Sequence, residues 1–131
     1  VKVLKIDEKL DLALLEVDED CPCVPVGALP AHLDDPVIIV GFPVYPTLES
    51  QVLTEGRVSG ILPDKQHLLT TANVAPGNSG GGVFYKGRDG KWRLVGILVA
   101  MAGRAGMFGD PQLYMYLSIS VDSEAIQKFL L

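Results

Sequence analysis

The residues best suited to chemistry are Pro76-Gly77-Asn78-Ser79-Gly80-Gly81-Gly82, where four glycines surround a single serine. Glycine opens backbone conformations closed to other residues and lets a second backbone approach closely. Acyl transfer needs such a segment: a hydroxyl on a sharp turn and backbone N–H groups aimed at one point. The N–H groups of Gly77 and Ser79 can converge on a developing oxyanion, where one donor stabilises the transition state by about 3–4 kcal/mol. A phosphate-binding loop is the competing chemistry for glycine-rich sequence. That loop opens a helix and carries a lysine. Here a strand pattern follows Gly82 and no lysine is adjacent.

The elements that must hold this loop read as short strands. Residues 1–6 form a strand pattern that breaks at Asp7-Glu8-Lys9, and Leu12 to Val17 is a second apolar run. Residues 36–41 are β-branched and short, as a buried strand is. Residues 52–62 are expected as a strand interrupted at Gly56 and Gly60, and residues 66–71 as another. Val83-Phe84-Tyr85 and residues 92–100 flank Asp89-Gly90, a hairpin signal because both turn residues tolerate positive φ. Residues 103–112 read as a glycine-rich loop, and 113–121 as the last strand. A helix closes the chain, capped by Asp122 or Ser123, with Ala125, Ile126, Phe129 and Leu130 on one face. The pattern predicts an all-β antiparallel barrel or sandwich.

Composition narrows the function classes. The chain has 131 residues, 48% of them hydrophobic, which excludes a disordered chain. A net charge of −5 without a basic cluster argues against nucleic-acid binding. No apolar run approaches the ~18–20 residues of a membrane span. Cys21 and Cys23 are separated only by Pro22, too close for good disulfide geometry, and no further metal ligand lies nearby. They read as two ordinary thiols, with no cofactor or metal implied and the compartment left open.

Gly77-Asn-Ser-Gly-Gly81 resembles the nucleophile motif of chymotrypsin-fold serine proteases, in the form found in the HtrA/Deg branch and related trypsin-like peptidases. Asp11-Leu-Ala-Leu-Leu15 resembles that branch's segment carrying the triad aspartate. Val37-Ile-Ile-Val-Gly-Phe-Pro43 is similar to its strand and Gly-x-Pro turn, and Thr54-Glu-Gly-Arg-Val-Ser59 to its next strand. Leu94-Val-Gly-Ile97 looks like the strand lining the substrate cleft, and Leu117-Ser-Ile119 with the helix like the closing elements.

The resemblance implies a chymotrypsin-like double antiparallel β-barrel. Residues 1–45 would be the remainder of the first barrel, and residues 46–131 the second barrel with the nucleophile loop and the C-terminal helix. It implies Ser79 as nucleophile, Asp11 as the residue orienting a histidine, and Gly77 and Ser79 as the oxyanion hole. Asn73, Val99, Ala100, Met101 and Leu117 would line the substrate pocket. Asn73 stands where trypsin has an aspartate, so cleavage is expected after small or medium apolar residues of an extended polypeptide.

Family order places the histidine before the aspartate, and none of the ten residues before Asp11 is histidine. The histidine and most first-barrel strands are therefore expected from a preceding segment or another chain, and residues 1–131 alone are expected to be inactive. The order Asp11, His32, Ser79 matches the subtilisins, but there the nucleophile begins a helix. His32 reads as a solvated loop histidine and His67 as a residue entering a strand. Gly82 replaces a common proline, and Val99 a common serine. The alternative is a catalytically inactive protease-like module of a larger assembly, either structural or binding peptide by strand addition without cutting.

Overall fold

A computed structural model describes residues 1–20, 22–43, 47, 49–75, 77–102 and 117–131. Eight strands and one helix follow in order: β1 (Lys2–Asp7), β2 (Leu12–Glu16), β3 (Pro36–Gly41), β4 (Val52–Ile61), β5 (His67–Thr70), β6 (Gly82–Lys86), β7 (Trp92–Ala102), β8 (Leu117–Asp122) and α1 (Ser123–Leu130). β1 and β2 form a two-stranded antiparallel sheet, and the other six close a barrel in the order β3-β4-β5-β8-β7-β6. All barrel pairings are antiparallel. The expected barrel fold with a closing helix is therefore present.

Alternation builds the barrel. Val37 and Ile39 of β3 enter the core with Val58, Leu68, Val83, Val95 and Leu98. Each such side chain contributes about 1.5–3 kcal/mol on burial. β3 is hydrogen-bonded to β4 on one edge and β6 on the other, so it is a barrel strand. The barrel thus begins at Pro36, whereas the sequence grouped residues 1–45 together. The reason is register: the Val37 and Ile39 side chains complete the core shared with β4 and β6.

Three sequence expectations change. β4 runs unbroken through Gly56, whose missing Cβ makes room for the Ala72 backbone. A register shift falls only between Val58 and Gly60. In the β6–β7 hairpin only Gly90 has positive φ, at 79°, because its N–H closes a turn onto Gly87 O at 2.9 Å. Gly87 N–H then bonds Lys91 O at 2.9 Å, so the loop is longer than a two-residue turn. Leu130 is exposed, leaving Ala125, Ile126 and Phe129 as the apolar face of α1. Asp122 is the cap, accepting from Ala125 N–H at 2.9 Å, an interaction that contributes about 1 kcal/mol. The predicted loop 103–112 and residues 113–116 of the last strand lie outside the described residues, as does Cys21; Cys23 is free and exposed.

The β1–β2 hairpin docks on the helix side of the barrel. Leu12 is buried in a cluster with Val121, Ala125, Ile126 and Phe129. Lys5 Nζ donates to Phe129 O at 2.7 Å and lies 5.1 Å from the Phe129 ring centroid. The rest of the hairpin is uncovered in this chain: Val3, Leu4, Ile6, Leu15 and Val17 are all exposed.

The turn joining β4 to β5 carries a charge device. Asp64 accepts from Gln66 N–H at 2.9 Å, His67 N–H at 3.2 Å and His67 Nδ1 at 2.6 Å. The Gln66 N–H holds the Asp64 carboxyl below its ordinary 3.8; partial burial opposes this and His67 reinforces it. A lowered folded-state pKa gives stability that is present above the unfolded value and lost as pH falls through the folded value. Asp64→Asn is therefore expected to lower the urea midpoint at neutral pH. The difference from the unmodified protein should disappear once the pH falls below the lowered folded-state value. Denaturation curves across that range check it.

Candidate active site

The serine loop lies in the connection between β5, which ends at Thr70, and β6, which begins at Gly82. Its entry is anchored by Thr54 Oγ1, which donates to Asn73 O at 2.8 Å. Within it, Asn78 N–H bonds Ala75 O at 3.1 Å and Gly81 N–H bonds Asn78 O at 2.9 Å. Gly80 N–H reaches Leu98 O on β7 at 2.7 Å, and Leu98 N–H returns to Gly81 O at 2.9 Å. The chain can turn this tightly because Gly77 and Gly80 adopt φ of 100° and 90°.

This pattern divides the loop's donors into two sets. The N–H groups of Asn78, Gly80 and Gly81 are consumed inside the fold. Those of Gly77 and Ser79 donate to no group among the described residues. Gly77 and Ser79 are exposed, whereas Asn78 between them is only 5% exposed. Ser79 and Gly77 line one open cleft of about 460 Å³, together with Val40, Gly41, Phe42, Gln51 and Phe84. An exposed hydroxyl beside two free backbone donors is an arrangement that can bind a developing negative charge.

Packing fixes the loop from beneath. A Cβ on Gly81 would lie 2.5 Å from Val40 O and 2.9 Å from Asn78 O. One on Gly41 would lie 2.8 Å from Asn78 Oδ1, a buried acceptor with no partner among the described residues. At Gly82 a side chain would strike the Phe84 ring at 2.5 Å. The ring occupies the space above residue 82, which accounts physically for glycine there. Phe42, Gln51 and Phe84 were not singled out in the sequence. For Phe84 the signal was a same-face aromatic two residues after Gly82, readable only once register is known.

The other sequence-predicted residues are distributed as follows. Asp11 is exposed, with φ 58°, immediately before buried Leu12. No described contact joins it to Ser79. Half-buried Val99 packs against the same cluster as Leu12, Ala125 and Phe129, placing the outer side of β7 against the Asp11 hairpin. Ala100 is exposed and pairs with Ile119; Met101 pairs with Ser118 and Ala102 with half-buried Leu117. Asn73 is exposed, and Pro76 lies outside the described residues.

Neither histidine of the chain lines the Ser79 cleft. The His32 backbone N–H donates to Asp35 Oδ2 at 2.7 Å, while its side chain is exposed. His67 is held by Asp64 in the β4–β5 turn. Among the described residues no cluster of three His, Cys, Asp or Glu side chains could hold a metal ion. No described helix is long and apolar enough to cross a membrane.

The sequence model of the trypsin-like peptidase domain matches residues 1–97, and the chain belongs to that family. The barrel also superimposes on the crystal structure of the serine endoprotease from Yersinia pestis with a TM-score of 0.76 at 23% identity. That alignment covers 98% of this chain and 42% of the Yersinia chain, so this chain spans less than half of its length. The fold is chymotrypsin-like. No curated protein matches the sequence.

Proposed function

We propose that this chain carries the nucleophile half of a serine endopeptidase, with Ser79 as the attacking residue. The observation that carries the reading is the pair of unconsumed N–H groups, Gly77 and Ser79, flanking the exposed hydroxyl in one cleft. Ser79 Oγ attacks the scissile carbonyl carbon, and the carbonyl oxygen becomes an oxyanion held by the two N–H groups. A histidine takes the Ser79 proton and passes it to the leaving amine; water then releases the acyl group. Asp11 orients that histidine and stabilises its charged form.

His32 and His67 both lie outside the cleft, the first with its ring in solvent and the second held by Asp64. We therefore assign the base to a segment other than residues 1–131, together with strands that cover the exposed apolar face of the β1–β2 hairpin. A serine without a base stays a neutral alcohol, so residues 1–131 alone are inactive in ordinary assays.

We assign the primary pocket to Asn73, the β7 residues Val99, Ala100 and Met101, and Leu117. None of these five residues is a carboxylate that could offset the desolvation of a buried cation. The substrate is an extended polypeptide cut after Ala, Val, Leu or Met. Selectivity is modest, because an apolar slot discriminates by about 1–3 kcal/mol per methylene. Profiling the histidine-containing protein on a peptide library is expected to show that apolar preference. Dominant cleavage after Lys or Arg would overturn the pocket assignment.

A further inference from the structure

Pro36, Ile38 and Val40 alternate with the core residues Val37 and Ile39, so they share the outer face of β3. Val40 lines the Ser79 cleft. Pro36 and Ile38 line a second open cleft of about 420 Å³ with Glu55, Arg57, Lys86 and Trp92. Register connects the two. Ile38 pairs with Glu55 of β4 on one side and with Phe84 of β6 on the other, and Phe84 belongs to the Ser79 cleft. The two clefts share no lining residue but follow one another along the outer face of β3, and together they offer a groove from the serine loop toward Trp92. Gly41 to Pro36 is six residues, five steps of ~3.3 Å or about 17 Å, the span of a similar length of extended peptide.

The far end has its own chemistry. Lys86 Nζ lies 5.9 Å from the centroid of the Trp92 ring, which is 41% exposed. Arg57 donates to Asp34 O at 2.8 Å and lies 3.5 Å from Asp34 Oδ1. Lys86 has no ion pair among the described residues. Asp34 holds Arg57, which leaves Lys86 as the cation of this cleft without a carboxylate partner among the described residues. A flat apolar ring beside an uncommitted ammonium suits an apolar side chain next to a carboxylate.

We propose that this groove is an exosite for the substrate segment following the scissile bond, with an acidic residue at Lys86 and an apolar one against Trp92. The direction rests on the Ser79 reading. β7 and Leu117 take residues before the bond, so those after it leave past Gly41 and Phe42 along β3. The acidic residue then falls about five positions beyond the first residue to enter the Ser79 cleft.

The test uses the full protein carrying Ser79→Ala, which leaves a bound peptide uncut. Two extended, dye-labelled peptides of about twelve residues differ only at that distal position, Glu-Glu in one and Lys-Lys in the other. The acidic peptide is expected to bind about fivefold more tightly at low salt, with the preference fading as salt screens it. Lys86→Glu should abolish or invert the preference. The acidic peptide should also change the emission component that Trp92→Phe removes. Equal affinities, a preference that survives Lys86→Glu, or unchanged Trp92 emission at saturation would overturn the exosite.

The protease reading fails separately. If Ser79 in the unmodified protein does not react with a fluorophosphonate while the charge preference holds, the groove binds acidic peptide but its role as a substrate exosite falls with the protease reading. If Ser79 reacts and the preference is absent, the exosite alone is wrong.

Discussion

Replacing Ser79 by alanine is expected to lower kcat of the histidine-containing protein by about 10⁵–10⁶-fold, with KM changed by less than about threefold. The size follows from the concerted action of nucleophile and base: without the hydroxyl, the histidine has no proton to accept and no acyl-enzyme forms. What remains is the oxyanion hole and substrate positioning, typically about 10³-fold over water. The side chain is exposed and packs against no core residue, so the thermal midpoint should not move. Steady-state kinetics and thermal unfolding of the same preparation separate the two effects.

The second large effect is on the loop's support. Gly81→Ala is expected to destabilise the fold by about 3 kcal/mol and to lower kcat with it. A methyl group at residue 81 meets Val40 O at 2.5 Å and Asn78 O at 2.9 Å, both backbone atoms without a rotamer to move. Relief requires separating the loop from β3, which strains the Gly81-to-Asn78 and Leu98-to-Gly81 hydrogen bonds. Each such bond contributes about 1 kcal/mol. Gly80 provides the control. A Cβ there has nothing within 4 Å, and only its φ of 90° penalises alanine, at about 1–2 kcal/mol. Urea denaturation of the two variants should rank Gly81→Ala as clearly the more damaging.

Much of the barrel was legible in the sequence because its signals are local. The alternation of Val37 and Ile39 with Ile38 and Val40 marks β3 directly, and Asp122 announces the helix start. Gly56 misled because glycine in a strand has two physical meanings, a break or a close approach, and only the neighbouring Ala72 backbone decides between them. Leu130 misled because helical periodicity gives the phase of a face but not its width. The serine loop was legible from its residue types. The division of its N–H groups was not, because it depends on Leu98, a partner eighteen residues downstream of Gly80. The same holds for the groove over β3, which exists only through the pairing of Ile38 with Glu55 and Phe84.

The most direct test of the central claim is covalent labelling of Ser79 by a fluorophosphonate, read by peptide mass spectrometry in two samples: the histidine-containing protein and residues 1–131 alone. Rapid, stoichiometric modification of Ser79 is expected in the first, abolished by Ser79→Ala, and negligible modification in the second. Absence of labelling in the histidine-containing protein, in a sample that still binds extended peptides, would contradict it and leave a binding module without catalysis. Equal labelling in both samples would also contradict it, by placing the base within residues 1–131.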